Sequence, residues 1–336
     1  MRTPTIPRSP ALLILVSAGL CLGCGTAPSG WTDPCAPPQA PRMSIIHAGA
    51  ELVFSAADGM PVEVGSSLDP RAEAPDAWTA GDRFVLPAVD EPTAVRVFAR
   101  VAAAGCAGAE CFAHRYEVRP AYPPPAGQPG SRALAADDPA IVGWAGAVER
   151  VDFGAEVSEP WRDADQSLGP ASGAAGDCVS LGRGGSLVLG FDPPIADGPG
   201  PDLAVFENGF TDDFLELAVV EVSSDGEHYL RFAHAFLGEE PLGAFDRLDT
   251  RWVGALAGKY RRGFGTPFDL AVFADAPEVR QGLVDLQAIR RVRILDVVGD
   301  GSRVDSFGHP IYDPYPTADS AGFDLDAIAV LHAGQD

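Results

Sequence analysis

The chain is short of basic residues, of long apolar runs and of helical periodicity. Only 24 Lys and Arg stand against 47 Asp and Glu, a formal net charge of −23. That deficit opposes binding to nucleic acid or to an anionic membrane face, because the leading electrostatic force would be repulsive. It suits divalent cations and neutral or cationic partners. No segment beyond the N-terminus is apolar enough over the ~20 residues needed to span a bilayer. Catalytic signatures are missing as well: there is no Gly-x-Ser-x-Gly elbow, no His-Glu-x-x-His pair and no phosphate-binding loop. A wealth of acids does not by itself identify a glycosidase, whose carboxyl pair is defined by separation in space.

What is present begins with a leader. Arg2 and Arg8 precede an apolar run from Ala11 to Leu22 that ends Gly23-Cys24, the order basic region, hydrophobic region, small residue, cysteine. Gly23-Cys24 resembles a bacterial lipobox, which implies removal of residues 1–23 as a signal peptide and lipidation of Cys24. Ordinary signal-peptide cleavage nearby is the alternative. Gly25 and Thr26 then resemble outer-membrane sorting in a two-membrane bacterium, so the expected location is the cell envelope. Contact with a membrane is expected only through the N-terminal lipid. Loss of Arg2 and Arg8 makes the mature chain still more acidic.

Of six cysteines, Cys21 and Cys24 lie in this leader region, leaving Cys35, Cys106, Cys111 and Cys178. An exported chain meets an oxidising compartment, and Cys106-Ala107-Gly108-Ala109-Glu110-Cys111 is expected to close a tight loop as a Cys106–Cys111 disulfide. The states of Cys35 and Cys178 stay open.

With 38 Gly and 31 Pro scattered without period, the chain reads as many short strands and turns. Residues 24–42 are small, polar and Pro-rich, a tether. Residues 43–120 hold short alternating runs such as Pro61-Val62-Glu63-Val64 and Ala94-Val95-Arg96-Val97-Phe98-Ala99, spaced for a small immunoglobulin-like or fibronectin-like sandwich. Residues 121–135, with Pro123-Pro124-Pro125, are expected as a stiff linker. Residues 136–336 carry further strand-like runs and only one helical hint, Pro277 to Ile289, which fits a larger jelly-roll sandwich. The expected fold class is therefore all-β, a small sandwich followed by a larger one.

Two groups of loop residues are candidates for chemistry. Asp300, Asp305, Asp324 and Asp326, with Asp197 and Asp202, gather carboxylates beside strands, as a calcium ion with six to eight oxygen ligands requires. Asp324 and Asp326 at i, i+2 share one strand face. The Asp197–Asp202 loop reads equally as a calcium site or as a rigid turn in which Asp accepts from backbone N–H groups. In the second group, Phe307, His309, Tyr312, Asp313 and Tyr315 combine flat rings with hydrogen-bonding groups suited to a sugar face, or form a packed loop cover. His228 and His234 have no nearby cysteine or third His, so zinc is not expected.

Six motifs occur in order: Leu181-Gly182-Arg183-Gly184-Gly185-Ser186, the run Asp197-Gly198-Pro199-Gly200-Pro201-Asp202 through Glu207-Asn208-Gly209-Phe210, Ser223-Ser224-Asp225-Gly226, Gly265-Thr266-Pro267-Phe268-Asp269, the Asp296 to Pro316 block, and Gly322-Phe323-Asp324-Leu325-Asp326. Together they resemble a family of largely uncharacterised bacterial cell-surface proteins, over most of residues 136 to 335. More loosely, Asp285 to Ile294 and the Phe-Asp-Leu-Asp ending are similar to galactose-binding-like, discoidin-type jelly-rolls. That resemblance implies a surface location and, more remotely, glycan binding with a structural calcium. The expected function is a calcium-braced binding or adhesion module for a glycan or envelope component. A surface polysaccharide hydrolase using Glu207, Asp212, Asp213 and Glu216 is the first alternative, and an envelope protein without a soluble ligand the second.

Overall fold

The computed structural model describes residues 35–40, 45–69, 71–89, 92–103, 105–106, 109 and 111–334. The leader, Cys24 and most of the tether lie outside the described residues. Among the described residues no helix is long and apolar enough to cross a membrane. The chain is all-β, as its alternating runs predict, and divides after Pro120 into two compact units.

In the first unit, β1 (Ile45–His47), β3 (Val62–Ser67), β4 (Thr79–Ala80), β6 (Thr93–Val101) and β7 (Phe112–Arg119) form one sheet in the order β1-β7-β6-β3-β4, while β2 (Glu51–Val53) pairs with β5 (Arg83–Val85). Inward-facing Val62, Val64, Val95, Val97, Phe112 and Tyr116 build its core with Leu52 and Phe54. Phe54 meets Phe112 edge-on at 5.2 Å. The tether does not end free, since Gln39 bridges Ser55.

The cysteine pairing differs from expectation. Cys106 is bonded to Cys35, with Cα atoms 5.2 Å apart, and Cys111 is an exposed free thiol. The reason is strand alternation. Phe112 opens β7 with its ring in the core, so its neighbour Cys111 faces outward, whereas Cys106 is buried. Peptide mapping without reductant is expected to recover Cys35 linked to Cys106, and Cys111 alkylated.

The second unit stacks two sheets. One runs β10 (Ala147–Asp152), β12 (Ser186–Ile195), β19 (Ile289–Asp296), β14 (Ala218–Ser223), β15 (Leu230–Arg231); the other runs β11 (Val179–Ser180), β20 (Asp324–Val330), β13 (Leu203–Glu207), β18 (Phe264–Phe268), β8 (Leu134–Ala135), with β9 (Gly143–Trp144) also on β20. A separate ribbon joins β16 (Ala235–Phe236) to β17 (Val253–Gly254). Leu187, Leu189, Val220, Val222, Val292 and Ile294 of the first sheet share one core with Leu203, Val205, Ile328 and Val330 of the second. Each such side chain contributes about 1.5–3 kcal/mol by leaving water. The opposite face of β13 and β20, Ala204, Phe206, Ala327 and Ala329, is covered by Trp144 and its neighbours.

Residues 121–135 are not a free linker but part of this unit. Tyr122 N donates to Arg251 O, Leu134 and Ala135 pair with Gly265 and Phe264, and the Tyr122 ring lies so near Gly254 that a Cβ there would sit 2.4 Å from it. Proline restricts these residues to extended backbone without preventing them from packing. The helical hint at Pro277 is a single four-residue turn, Pro277–Arg280.

Register is regular along β13 and β20 until their ends. Phe206 pairs with Ala327 and Glu207 with Leu325, leaving Asp326 as the extra residue of a β-bulge. A bulge bends its strand and re-aims side chains, and this one lies between two buried acids, Glu207 and Asp326.

Candidate functional site: an acidic cleft beside the bulge

A cleft of ≈ 320 Å³ opens where β13 ends, lined by Glu207, Asn208, Phe210, Phe214, Glu216, Phe245, Pro316, Thr317, Ser320 and Asp324. Glu207 is the last residue of β13 and is buried; its Oε2 accepts from Gly209 N at 2.7 Å. A Cβ at position 209 would lie 2.5 Å from that oxygen, so glycine is what lets the chain turn over the carboxylate. Asn208 follows, 3% exposed. Its Nδ2 donates to Ala174 O and meets Cys178 Sγ, while its buried Oδ1 has no hydrogen-bond partner.

Glu216 enters from the loop before β14, buried, with no hydrogen bond or ion pair to its carboxylate among the described residues. Asp324, at the start of β20, keeps an edge open and accepts from Ser180 Oγ. Phe210 and Phe245 stand at the mouth, 60% and 88% exposed, which is unusual for rings of that size.

The floor is electrostatically one-sided. Burial, then the Asp324 charge, pushes the Glu207 carboxyl well above the usual carboxylate range, and the same causes act on Glu216 with Glu207, Asp313 and Asp296 added. Asp324 is pushed up to about 7, chiefly by burial, against a lowering by Ser180. Cys178, behind the floor, is pushed up to about 12, mainly by burial, and stays a thiol. No basic side chain forms an ion pair with Glu207, Glu216 or Asp324 among the described residues. Of the four acids considered for hydrolysis, Glu207 and Glu216 come together here. Asp212 and Asp213 instead pair with Arg261 and Arg247 at 2.6 and 2.5 Å.

The expected calcium ligands separate. Asp300, Asp305, Asp324 and Asp326 do not converge, because each is committed locally. Asp300 accepts from Ser302 N, and the Ser302 side chain first, then that amide, hold its carboxyl below the ordinary range. Asp305 accepts from Phe307 N, His309 N and Phe236 N at 2.8 to 3.0 Å. Asp326 accepts from Ser172 N and Gly173 N, and Asp324 turns to Ser180, so the shared strand face does not bring the two to one point. Asp197 and Asp202 do meet, with Asp269 as a third carboxylate, their ligand atoms within 4.8 Å of one another. Asp202 there also accepts from Gly198 N and Leu270 N and lies 2.8 Å from His332 Nδ1, so the group combines turn capping with converging carboxylates.

The aromatic block behaves mostly as a cover. Asp313 is buried and accepts from Leu217 N, Tyr312 packs on the Leu217 and Phe236 cluster, Tyr315 lies under Arg183 at 5.3 Å, and His309 rests 3.4 Å from Asp305. Phe307 is exposed. The block reaches the cleft through Pro316 and Thr317. His228 Nδ1 lies 2.7 Å from Asp225, with Glu227 completing a group whose ligand atoms are within 4.8 Å of one another, whereas His234 Nδ1 lies 3.0 Å from Phe232 O. Asn208, Phe210 and Phe245 were not singled out from sequence. Glu207-Asn208-Gly209-Phe210 was visible as a motif, but Phe245 sits in a loop without strand pattern and carries no local signal.

The fold and cleft define a β-sandwich protein with an acidic, aromatic-rimmed pocket. A comparison with protein-family models gives no match, and a comparison with curated proteins gives none either.

Proposed function

We propose that this chain is an exported, lipid-anchored envelope protein whose larger sandwich binds a neutral polyhydroxylated ligand, a glycan or glycan-bearing envelope component, in the cleft between Phe210 and Phe245. The observation that carries the reading is two exposed rings over a floor of buried oxygen acceptors. Flat rings stack on the apolar face of a sugar, and carboxyl groups exchange hydrogen bonds with its hydroxyls. The leader ending Gly23-Cys24 and the likeness of the six motifs to bacterial surface proteins support the location, and the strong negative charge argues against a nucleic-acid partner. A structural calcium fits Asp197, Asp202 and Asp269 best.

Phe210→Ala and Phe245→Ala are each expected to weaken binding to isolated envelope polysaccharide several-fold, about 0.5–1.5 kcal/mol beyond the lost area, with the melting temperature unchanged. Normal binding by both variants sinks this reading of the cleft. Radiolabelled palmitate is expected to enter the wild type and not Cys24→Ala, and equal labelling would remove the lipid anchor.

One observation favours a second reading, a polysaccharide hydrolase: Glu207 and Glu216 share a cleft and hold their protons tightly, as a general acid must. Release of reducing sugars by the wild type and not by Glu207→Gln would decide for it.

A further inference from the structure

The two rims of the cleft are held unequally. The segment carrying Phe210 is fixed at several points: Gly209 O accepts from Arg262 N at 2.8 Å, Asp212 O accepts from Thr250 Oγ1 at 2.6 Å, and the Asp212 carboxylate pairs with Arg261 at 2.6 Å. Thr211 Oγ1 accepts from Phe214 N and donates to Asp213 Oδ1 at 2.7 Å, closing the turn behind the ring. The segment carrying Phe245 hangs between two buried ends. Leu237 N donates to Trp252 O and Leu248 N to Asp213 O, while residues 238–247 are half-buried or exposed. Inside that loop Leu242 packs at the edge of the Leu217 and Phe236 cluster, and Gly243 N donates to Asp246 Oδ2 at 2.7 Å. The Phe245 ring within this turn is 88% exposed.

Arg247 crosses from the loose rim to the fixed one. Its Nη1 donates to Asp213 Oδ1 at 2.5 Å and to Thr211 Oγ1 at 3.3 Å, so the residue next but one to Phe245 grips the turn that follows Phe210. The Leu248 amide already ties the end of the loop to the Asp213 carbonyl, and the guanidinium carries that grip nearer the ring. The side chains of the pair are 59% and 48% exposed. An ion pair so placed is weak and is screened as ionic strength rises. It adds little to the stability of the fold, yet each partner sits on a segment that presents one of the two rings.

We propose that Arg247 and Asp213 form a latch that holds the Phe245 rim against the Phe210 rim, which makes them positioning residues for the cleft and makes capture of an uncharged ligand sensitive to salt. The inference rests on the reading of these two rings as the ligand-binding edge. With the latch made, Phe245 is ordered before the ligand arrives, and less conformational entropy is lost on binding. With the latch broken, the loop has to be ordered by the ligand, and the difference appears mainly as faster dissociation. An uncharged ligand has no charge of its own for salt to screen, so its loss in salt reports on the pair within the protein.

The test uses the mature full-length chain as wild type, Arg247→Gln, Arg247→Lys and Phe245→Ala. Asp213 is left unchanged because Thr211 also bonds it. Hydrogen exchange of residues 238–248 is followed without ligand in salt of about 0.05 M and about 0.5 M, a range over which screening shortens severalfold. The amides of Gly243, Asp246 and Leu248 are expected to exchange faster in Arg247→Gln at both salts, and in the wild type at the higher salt alone, with Arg247→Lys between them and melting temperatures alike. Equal exchange in wild type and Arg247→Gln overturns the latch, whatever the ligand. Binding to isolated, uncharged envelope polysaccharide is then expected to be about two- to fivefold weaker in Arg247→Gln, the range of one exposed ion pair, and to weaken with salt in the wild type but not in that variant. Binding that Phe245→Ala weakens and Arg247→Gln leaves intact also overturns the latch while keeping the cleft. No binding by the wild type removes the glycan reading, and the exchange result still decides the latch.

Discussion

Chelator-treated protein is expected to melt at progressively lower temperature as pH rises from about 5 to about 8, and added calcium is expected to restore the loss. Glu207, Glu216 and Asp313 hold their protons well above the ordinary carboxylate range, and Asp296 and Asp324 are pushed up to about 7, in each case chiefly by burial. In the unfolded chain the same groups release protons near 4. Between those limits the folded state binds more protons than the unfolded one, so stability falls with rising pH. The destabilisation is absent below about pH 4 and complete once the folded groups ionise, near and above about 7. The direction is opposite to that of an ordinary salt-bridged carboxylate. A cation bound only to the folded state at 100 times its dissociation constant returns about 2.7 kcal/mol, or roughly 5–10 °C for a domain of this size. Melts across pH with calcium or chelator check both halves. A chelated melt that rises with pH would show that the buried acids do not control stability.

Asp305→Ala is expected to cost about 3 kcal/mol or more, with or without calcium, by leaving three backbone donors without their acceptor. Phe307 N, His309 N and Phe236 N all point at this one buried carboxylate, which ties the Ser306–His309 turn to β16. Asp305→Asn keeps one acceptor oxygen and is expected to lose less. Denaturant unfolding measures both. A calcium-dependent effect would instead mean that Asp305 is a metal ligand, as its neighbourhood in sequence suggests. Asp300→Ala, by contrast, removes only an exposed turn contact with Ser302, and its effect is expected to be within about 0.5 kcal/mol.

Much of the site was legible as composition but not as grouping. Glu207 and Glu216 stand out as acids, and Glu207-Asn208-Gly209-Phe210 as a motif, yet eight loop residues lie between Glu207 and Glu216 and more than a hundred separate both from Asp324. Strand alternation does put Asp324 and Asp326 on one face. It says nothing of the bulge that makes Asp326 the unpaired residue, because the bulge belongs to the pairing with β13. The aromatic block shows the same limit. Its rings are plain in the sequence, but whether Tyr312 stacks on a ligand or on Leu217 and Phe236 depends on what lies beneath it.

The sequence by itself determined what repeats locally. The all-β class, the division near Pro120 and the strand runs follow from period-2 alternation broken by Gly and Pro, a property of neighbouring residues. Tertiary structure alone decided which distant groups meet: Cys106 with Cys35 in place of Cys111, Asp202 with Asp269 and His332, and Glu207, Asn208, Glu216 and Asp324 along one cleft. Those choices rest on strand order, on one bulge and on which acids find backbone donors first, and none of these has a signature within a single window of the chain.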